Sequence, residues 1–194
     1  SPGPRLDLLL GQRQPTADAS RQLTRPYSPA YDDILLKAKR ANDFFLLVGP
    51  PGTGKTSMAL RFMVKEALTD ASASLLLMSY TNRAVDEICA MLDEAAIDYL
   101  RIGGAYTCDA RFRPHLLDSR LGAAPRLDQV RHTLVSARVV VATTSTLQSR
   151  AYLFELRQFS LAIVDEASQI LEPSVVGLLA RVPRFILVGD YKQL

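Results

Sequence analysis

Eight residues constrain this chain more than any others: Gly49-Pro50-Pro51-Gly52-Thr53-Gly54-Lys55-Thr56. An apolar run, Phe44-Phe45-Leu46-Leu47-Val48, leads into them, and a helical pattern follows. Strand, glycine-rich loop and helix, in that order, is how a backbone wraps a phosphate. Glycines let successive N–H groups turn inward, and the new helix brings its positive N-terminal end to the same point. In such a loop Lys55 reaches the β- and γ-phosphates of a nucleotide and the Thr56 hydroxyl ligates Mg²⁺. The candidate phosphate-binding set is Gly49, Pro50, Pro51, Gly52, Thr53, Gly54, Lys55 and Thr56, with the adjoining Ser57.

The rest of the chain repeats the alternation. Leu75–Met78, Arg138–Ala142, Leu161–Val164 and Phe185–Val188 are continuous apolar runs, and Tyr99–Ile102 is a shorter one closed by Gly103-Gly104. Helical spacing is readable over 28–40, in the stretch after Lys55, from Asn82 onward and from about Pro173. Unbroken apolar strands alternating with helices predict an α/β fold, a parallel sheet covered by helices on both faces. Asn82 is the expected N-cap of its helix, with Asp86 and Glu87 in its first turns. Cys89 falls in that helix's apolar stripe and reads as core.

Two stretches lack a period. Residues 1–26 carry Pro2, Pro4, Pro15 and Pro26 among Gly, Gln, Arg and Ser, and read as an arm or linker. Residues 105–130, within an insertion around 103–135, interleave Arg111, Arg113, Arg120 and Arg126 with Asp109, Asp118 and Asp128. That pattern suits either a solvated surface or a patch on a nucleic-acid backbone.

The totals exclude several classes. Two cysteines and two histidines in 194 residues support neither a disulfide framework nor a zinc site. No apolar run approaches the length of a membrane span and no leader pattern opens the chain, so no membrane partner is expected. A net charge of +3 allows a nucleic-acid partner without demanding one. A reducing compartment is expected, cytoplasmic or, in a eukaryote, nuclear. A start at Ser1 rather than Met suits a piece of something longer.

Asp165-Glu166 closes the Leu161–Val164 run, at the strand end where α/β sheets bind ligands. Two acids there suit two jobs: Asp165 holding Mg²⁺, and Glu166 orienting and deprotonating an attacking water. Gly189-Asp190-Tyr191-Lys192-Gln193-Leu194 follows the last strand, where a glutamine can sense a γ-phosphate.

With these blocks in view, GPPGTGKT (49–56), SYTNRAVDEI (79–88), VDEASQ (164–169) and VGDYKQL (188–194) resemble motifs I, Ia, II and III of superfamily 1 helicases. The likeness is to the 5′→3′ branch that includes Upf-like helicases and replication helicase-nucleases, and it covers about residues 27–194. It implies a RecA-like P-loop NTPase domain, the first of two motor domains, with the motif III strand between those of motifs I and II. It implies ATP and Mg²⁺ as cofactors, bound by Lys55 and Thr56, and the acidic pair Asp165 and Glu166. Gln169 would touch the phosphate or the catalytic water, and Gln193 would lie beside the γ-phosphate.

The resemblance also implies a single-stranded nucleic-acid partner, DNA before RNA. Thr81-Asn82-Arg83 would touch its backbone, and a helix start with a hydroxyl independently suits a phosphate. Thr143 and Thr144 lie where a second backbone-contacting loop is expected, or they cap a helix.

Two features depart from the pattern. The family usually carries a glutamine that reads adenine upstream of the first strand. Here Tyr31 falls at about that position, so Tyr31 or Tyr27 is the candidate base contact, by stacking. The second motor domain, which supplies arginine fingers, is not in this chain. Two other readings remain. One is a protein-remodelling P-loop ATPase, which VGDYKQL disfavours; the other is a nucleotide-gated binding module, which Glu166 disfavours.

Overall fold

The computed structural model describes residues 16–49, 55–165 and 173–190. In chain order the elements are α1 (Asp32–Arg40), β1 (Phe44–Gly49), α2 (Lys55–Ala67), β2 (Leu75–Ser79), α3 (Asn82–Glu94) and β3 (Leu100–Arg101). Two 3₁₀ turns, Ala105–Thr107 and Ala110–His115, lead to α4 (Leu117–Arg120) and α5 (Leu127–Ser136). Then come β4 (Val139–Thr143), α6 (Thr144–Ser149), α7 (Leu153–Leu156), β5 (Leu161–Val164), α8 (Pro173–Leu179) and β6 (Phe185–Asp190).

The strands form one sheet in the order β1-β6-β5-β2-β4-β3, every pair parallel. Their unbroken apolar runs are explained by burial on both faces. Alternate residues of β2 serve two separate cores. Leu75 and Leu77 pack with Leu35 of α1, Met63 and Val64 of α2, and Val85 and Ile88 of α3. Leu76 and Met78 pack with Leu134 of α5, Leu147 of α6, Phe154 of α7 and Leu179 of α8. Helices therefore lie on one face while the chain moves from β1 to β3, and on the other while it returns to β6, as right-handed crossovers require. Each side-chain set contributes through apolar area removed from water, about 25 cal/mol per Å².

β6 lies between β1 and β5, as the motif order implies. The helix expected over 28–40 begins at Asp32, because the Asp32 carboxylate accepts from the Tyr27 and Ser28 amides and turns the chain just before it. Thr81, not Asn82, caps α3: its extended backbone lets its hydroxyl accept from the Ala84 amide at 3.1 Å. Asp86 and Glu87 do not sit in the first turn of α3; they pair with Arg101 and Arg83.

Residues 1–15 lie outside the described part, but 16–26 lie along the domain. Ala17 bridges to Ala41, and the Arg21 guanidinium donates to the carbonyls of Lys39, Arg40 and Ala41 at the end of α1. Those carbonyls have no partner within the helix, and a cation there also meets the negative end of the helix dipole. Arg184, just before β6, donates to the Ala38 and Lys39 carbonyls from the other side.

Candidate nucleotide and nucleic-acid edge

With all strands parallel, every strand's C-terminal end opens on one edge. On its left half, Gly49 ends β1 and Lys55 starts α2, so strand end and helix start bracket the phosphate loop. Leu60, Met63 and Val64 bury α2 against the sheet and fix its axis. Pro50, Pro51, Gly52, Thr53, Gly54, Glu166, Gln169 and Gln193 lie outside the described residues, as do the side chains of Lys55, Thr56 and Ser57.

Asp165 is held by its neighbour strand. Its amide donates to the Met78 carbonyl at 2.8 Å, and its carbonyl accepts from the buried Ser79 hydroxyl at 3.3 Å. Leu187 of β6 pairs with Leu46 on one side and Val164 on the other, so β5 stops level with Leu46 while β1 runs on to Gly49. Asp165 thus lies lower on the edge than Gly49, two strand spacings or about 10 Å to its side. The residues present fit ATP and Mg²⁺ by donor chemistry: backbone amides for phosphate, a hydroxyl and a carboxylate for a hard cation.

The right half carries the nucleic-acid candidates. Thr81 caps α3, and Asn82 and Arg83 open it fully in solvent, Arg83 lying 3.8 Å from Glu87. Thr143, level with Ser79, caps α6. Its hydroxyl accepts from the Thr146 amide at 3.2 Å and donates to the Thr146 hydroxyl at 2.9 Å. Thr143 and Thr144 are both buried. Of the two readings of this loop, the geometry displays the helix cap, and the exposed hydroxyl here is that of Ser145.

Tyr27 and Tyr31 both rest on Phe62 of α2, with ring centroids 5.4 and 5.7 Å away. The rings are therefore partly committed to packing. Tyr27 also donates to Glu66, a residue whose importance the sequence does not advertise. Glu66 is 5% exposed and accepts from the Thr24 amide and hydroxyl, the Tyr27 hydroxyl and the Lys39 ammonium, all at 2.6–2.7 Å. Burial alone would raise its pKa, but Lys39, Tyr27 and Thr24 outweigh this and hold it at about 2.

Arg101, the last residue of β3, is likewise unannounced. It is 2% exposed, pairs with Asp86 and lies 3.8 Å from the Cys89 sulfur. It thereby ties the edge strand to α3. Cys89 itself is core, its thiol pushed up to about 12 by burial. In the insertion, Arg120 and His115 gather on Asp98 and the Tyr99 carbonyl, while Arg111 and Arg126 pair with Asp109 and Asp128. A cavity of about 320 Å³ lies at the opposite edge, beside Arg21, Lys39, Glu66 and Arg184. Its cations are engaged by helix carbonyls and Glu66, so it is no part of this site.

Comparison with known proteins agrees with this geometry. The sequence model of the AAA domain family matches residues 31–129 and 123–194. The chain belongs to this family, as a superfamily 1 helicase motor domain of the Upf-like branch. It is 35% identical over 160 residues to the DNA replication ATP-dependent helicase/nuclease JHS1 of Arabidopsis thaliana, covering 82% of this chain and 12% of that protein. It is 33% identical over 184 residues to DNA2, a DNA replication ATP-dependent helicase/nuclease, of Gallus gallus, covering 94% and 18%. The chain thus spans less than a fifth of either relative. Among solved structures, the UvsW helicase of bacteriophage T4 shares the fold, with a TM-score of 0.56 at 14% identity over 95% of this chain and 59% of that one. This helicase motor domain is an α/β domain of RecA-like fold.

Proposed function

We propose that residues 27–194 act as the first motor domain of an ATP-dependent DNA helicase, with a short insertion around 103–135. The observation that supports this most is the strand order: β6 between β1 and β5 brings the strand ends bearing motifs I, III and II side by side on one edge. The loop from Gly49 to Thr56, with Ser57, receives the phosphates; Thr56 and Asp165 hold Mg²⁺, which neutralises phosphate charge when bound. Glu166 takes the proton of the attacking water, and Gln169 and Gln193 respond to the γ-phosphate. Tyr31, resting on Phe62, borders the base. A single strand lies along the right half of the edge, over Thr81, Asn82 and Arg83 and the start of α6. A second RecA-like domain of the parent chain closes over the nucleotide, and opening and closing step the pair along the strand. We take DNA rather than RNA as the partner, a reading supported by relatives named for DNA replication; the nucleus or cytoplasm is the matching compartment.

The test is ATP hydrolysis by the intact protein with poly-dT, with poly-U and with neither, at two salt concentrations. Stimulation by poly-dT that weakens with salt, as phosphate contacts do, is the expected result. Equal turnover in all three conditions would refute the motor reading.

A further inference from the structure

We propose that Tyr106 is a stacking platform for a base of the single strand, at the end of the edge farthest from the phosphate loop. The proposal rests on the reading that a single strand runs along this edge.

The register places the residue. Arg101 pairs with Val141, and the Ile102 amide donates to the Val141 carbonyl at 3.0 Å, so Gly103 comes level with Thr143, the cap of α6. Thr143 is in turn level with Ser79, two residues before Thr81. Thr81, the α6 start and Gly103 therefore follow one another across β2, β4 and β3, about 5 Å per strand. At Gly103 the backbone takes φ +155°, which a side chain would strain, and the chain turns out of the sheet into the Ala105–Thr107 turn.

That turn is held. The Thr107 amide and hydroxyl both donate to the Gly104 carbonyl, at 3.2 and 2.9 Å, and Arg113 Nε donates to the Ala105 carbonyl at 3.2 Å. Between these anchors Tyr106 is fully exposed, whereas Phe112, six residues on, is buried. A solvated ring on a braced turn contributes nothing to the core, but it is preorganised to meet a flat ligand. Two arginines follow in the same segment: Arg111, exposed and paired with Asp109 at 3.3 Å, lies over the Phe112 ring at 4.8 Å, and Arg113 braces the turn. Exposed aromatic faces hold single strands without sequence preference, since every base offers a π-face.

The experiment compares a dT 15-mer with a 15-mer of the same charge made of abasic nucleotides, binding to the intact protein at low salt. Wild type is expected to prefer the dT strand. Tyr106→Ala is expected to weaken dT binding by about tenfold, within the range for losing one stacked base, and to leave abasic binding unchanged. Tyr106→Phe is expected to bind as wild type. A 5-iododeoxyuridine strand should crosslink at Tyr106 on irradiation. Tight dT binding indifferent to Tyr106→Ala, with no crosslink there, overturns the platform and leaves the nucleic-acid reading standing. Failure of both strands to bind overturns both.

Discussion

The Tyr27 hydroxyl donates a 2.6 Å hydrogen bond to Glu66 across 39 residues of sequence, and Thr24 and Lys39 close on the same carboxylate. One buried acid thus fastens the segment before α1, and α1 itself, to the helix that leaves the phosphate loop. The Glu66 side chain has donors on both oxygens, which is what makes its burial tolerable.

The pH dependence of stability follows. The folded pKa of Glu66, about 2, is below the ordinary 4.5, so its contribution is complete above pH 4.5 and is lost as pH falls toward 2. At about 1.4 kcal/mol per unit, it is worth on the order of 3 kcal/mol. Glu66→Gln should lose most of this at pH 7 and show a flatter decline between pH 4.5 and 2 in urea denaturation. Parallel profiles for wild type and variant would show that the carboxylate's charge does not hold the segment.

The pair Arg101–Asp86 should respond unequally to its two deletions. Arg101 is nearly inaccessible, whereas Asp86 is about a quarter exposed. Asp86→Asn leaves a buried guanidinium without its counter-charge and should cost about 3–5 kcal/mol. Arg101→Met leaves a carboxylate that water can reach, and a side chain that still fills the space, so its cost should be smaller. The double variant should be no less stable than Asp86→Asn alone. Equal single costs in denaturant titrations would contradict this account.

Much of the fold is legible because burial on both faces writes itself as unbroken apolar runs. Leu75–Met78 and Leu161–Val164 need no long-range information to be read as central strands. The strand and helix on either side of the 50–54 segment are legible because an apolar run and a helical spacing flank the motif directly. Glu66 and Arg101 are not, because their partners lie 12 to 42 residues away in sequence and only the fold brings them together. The cap of α3 is displaced by one residue because Thr81 and Asn82 are both good capping types, and backbone angle decides between them. Residues 105–130 escape because 3₁₀ turns and a four-residue helix are too short to show a period.

Lys55 opens α2 where the loop ends. In the proposed role its ammonium makes a charge-assisted contact with the β- and γ-phosphates, and Lys55→Ala should then weaken binding of a fluorescent ATP analogue by about 100-fold. Glu166→Gln should act differently, keeping nucleotide affinity while lowering hydrolysis by the intact protein about 10²–10⁴-fold, the usual contribution of a general base. Substantial turnover by Glu166→Gln would remove it from that role.

Thr143 and Ser145 separate structure from binding within one loop. The Thr143 hydroxyl is buried and satisfies the Thr146 amide, so Thr143→Ala should cost about 1 kcal/mol of stability, the usual loss for a helix cap. Ser145 is exposed beside it, on the edge where a strand's phosphates would pass. Ser145→Ala removes only a 3.3 Å contact with the Thr143 hydroxyl, so it should lower stability by less than Thr143→Ala while weakening dT binding about threefold to tenfold, the worth of one neutral hydrogen bond. The two effects are read by denaturation and by titration with the same oligonucleotide. If Thr143→Ala proves as stable as wild type and weakens dT binding instead, the hydroxyl must leave its cap to meet the strand, and the α6 start rearranges on binding.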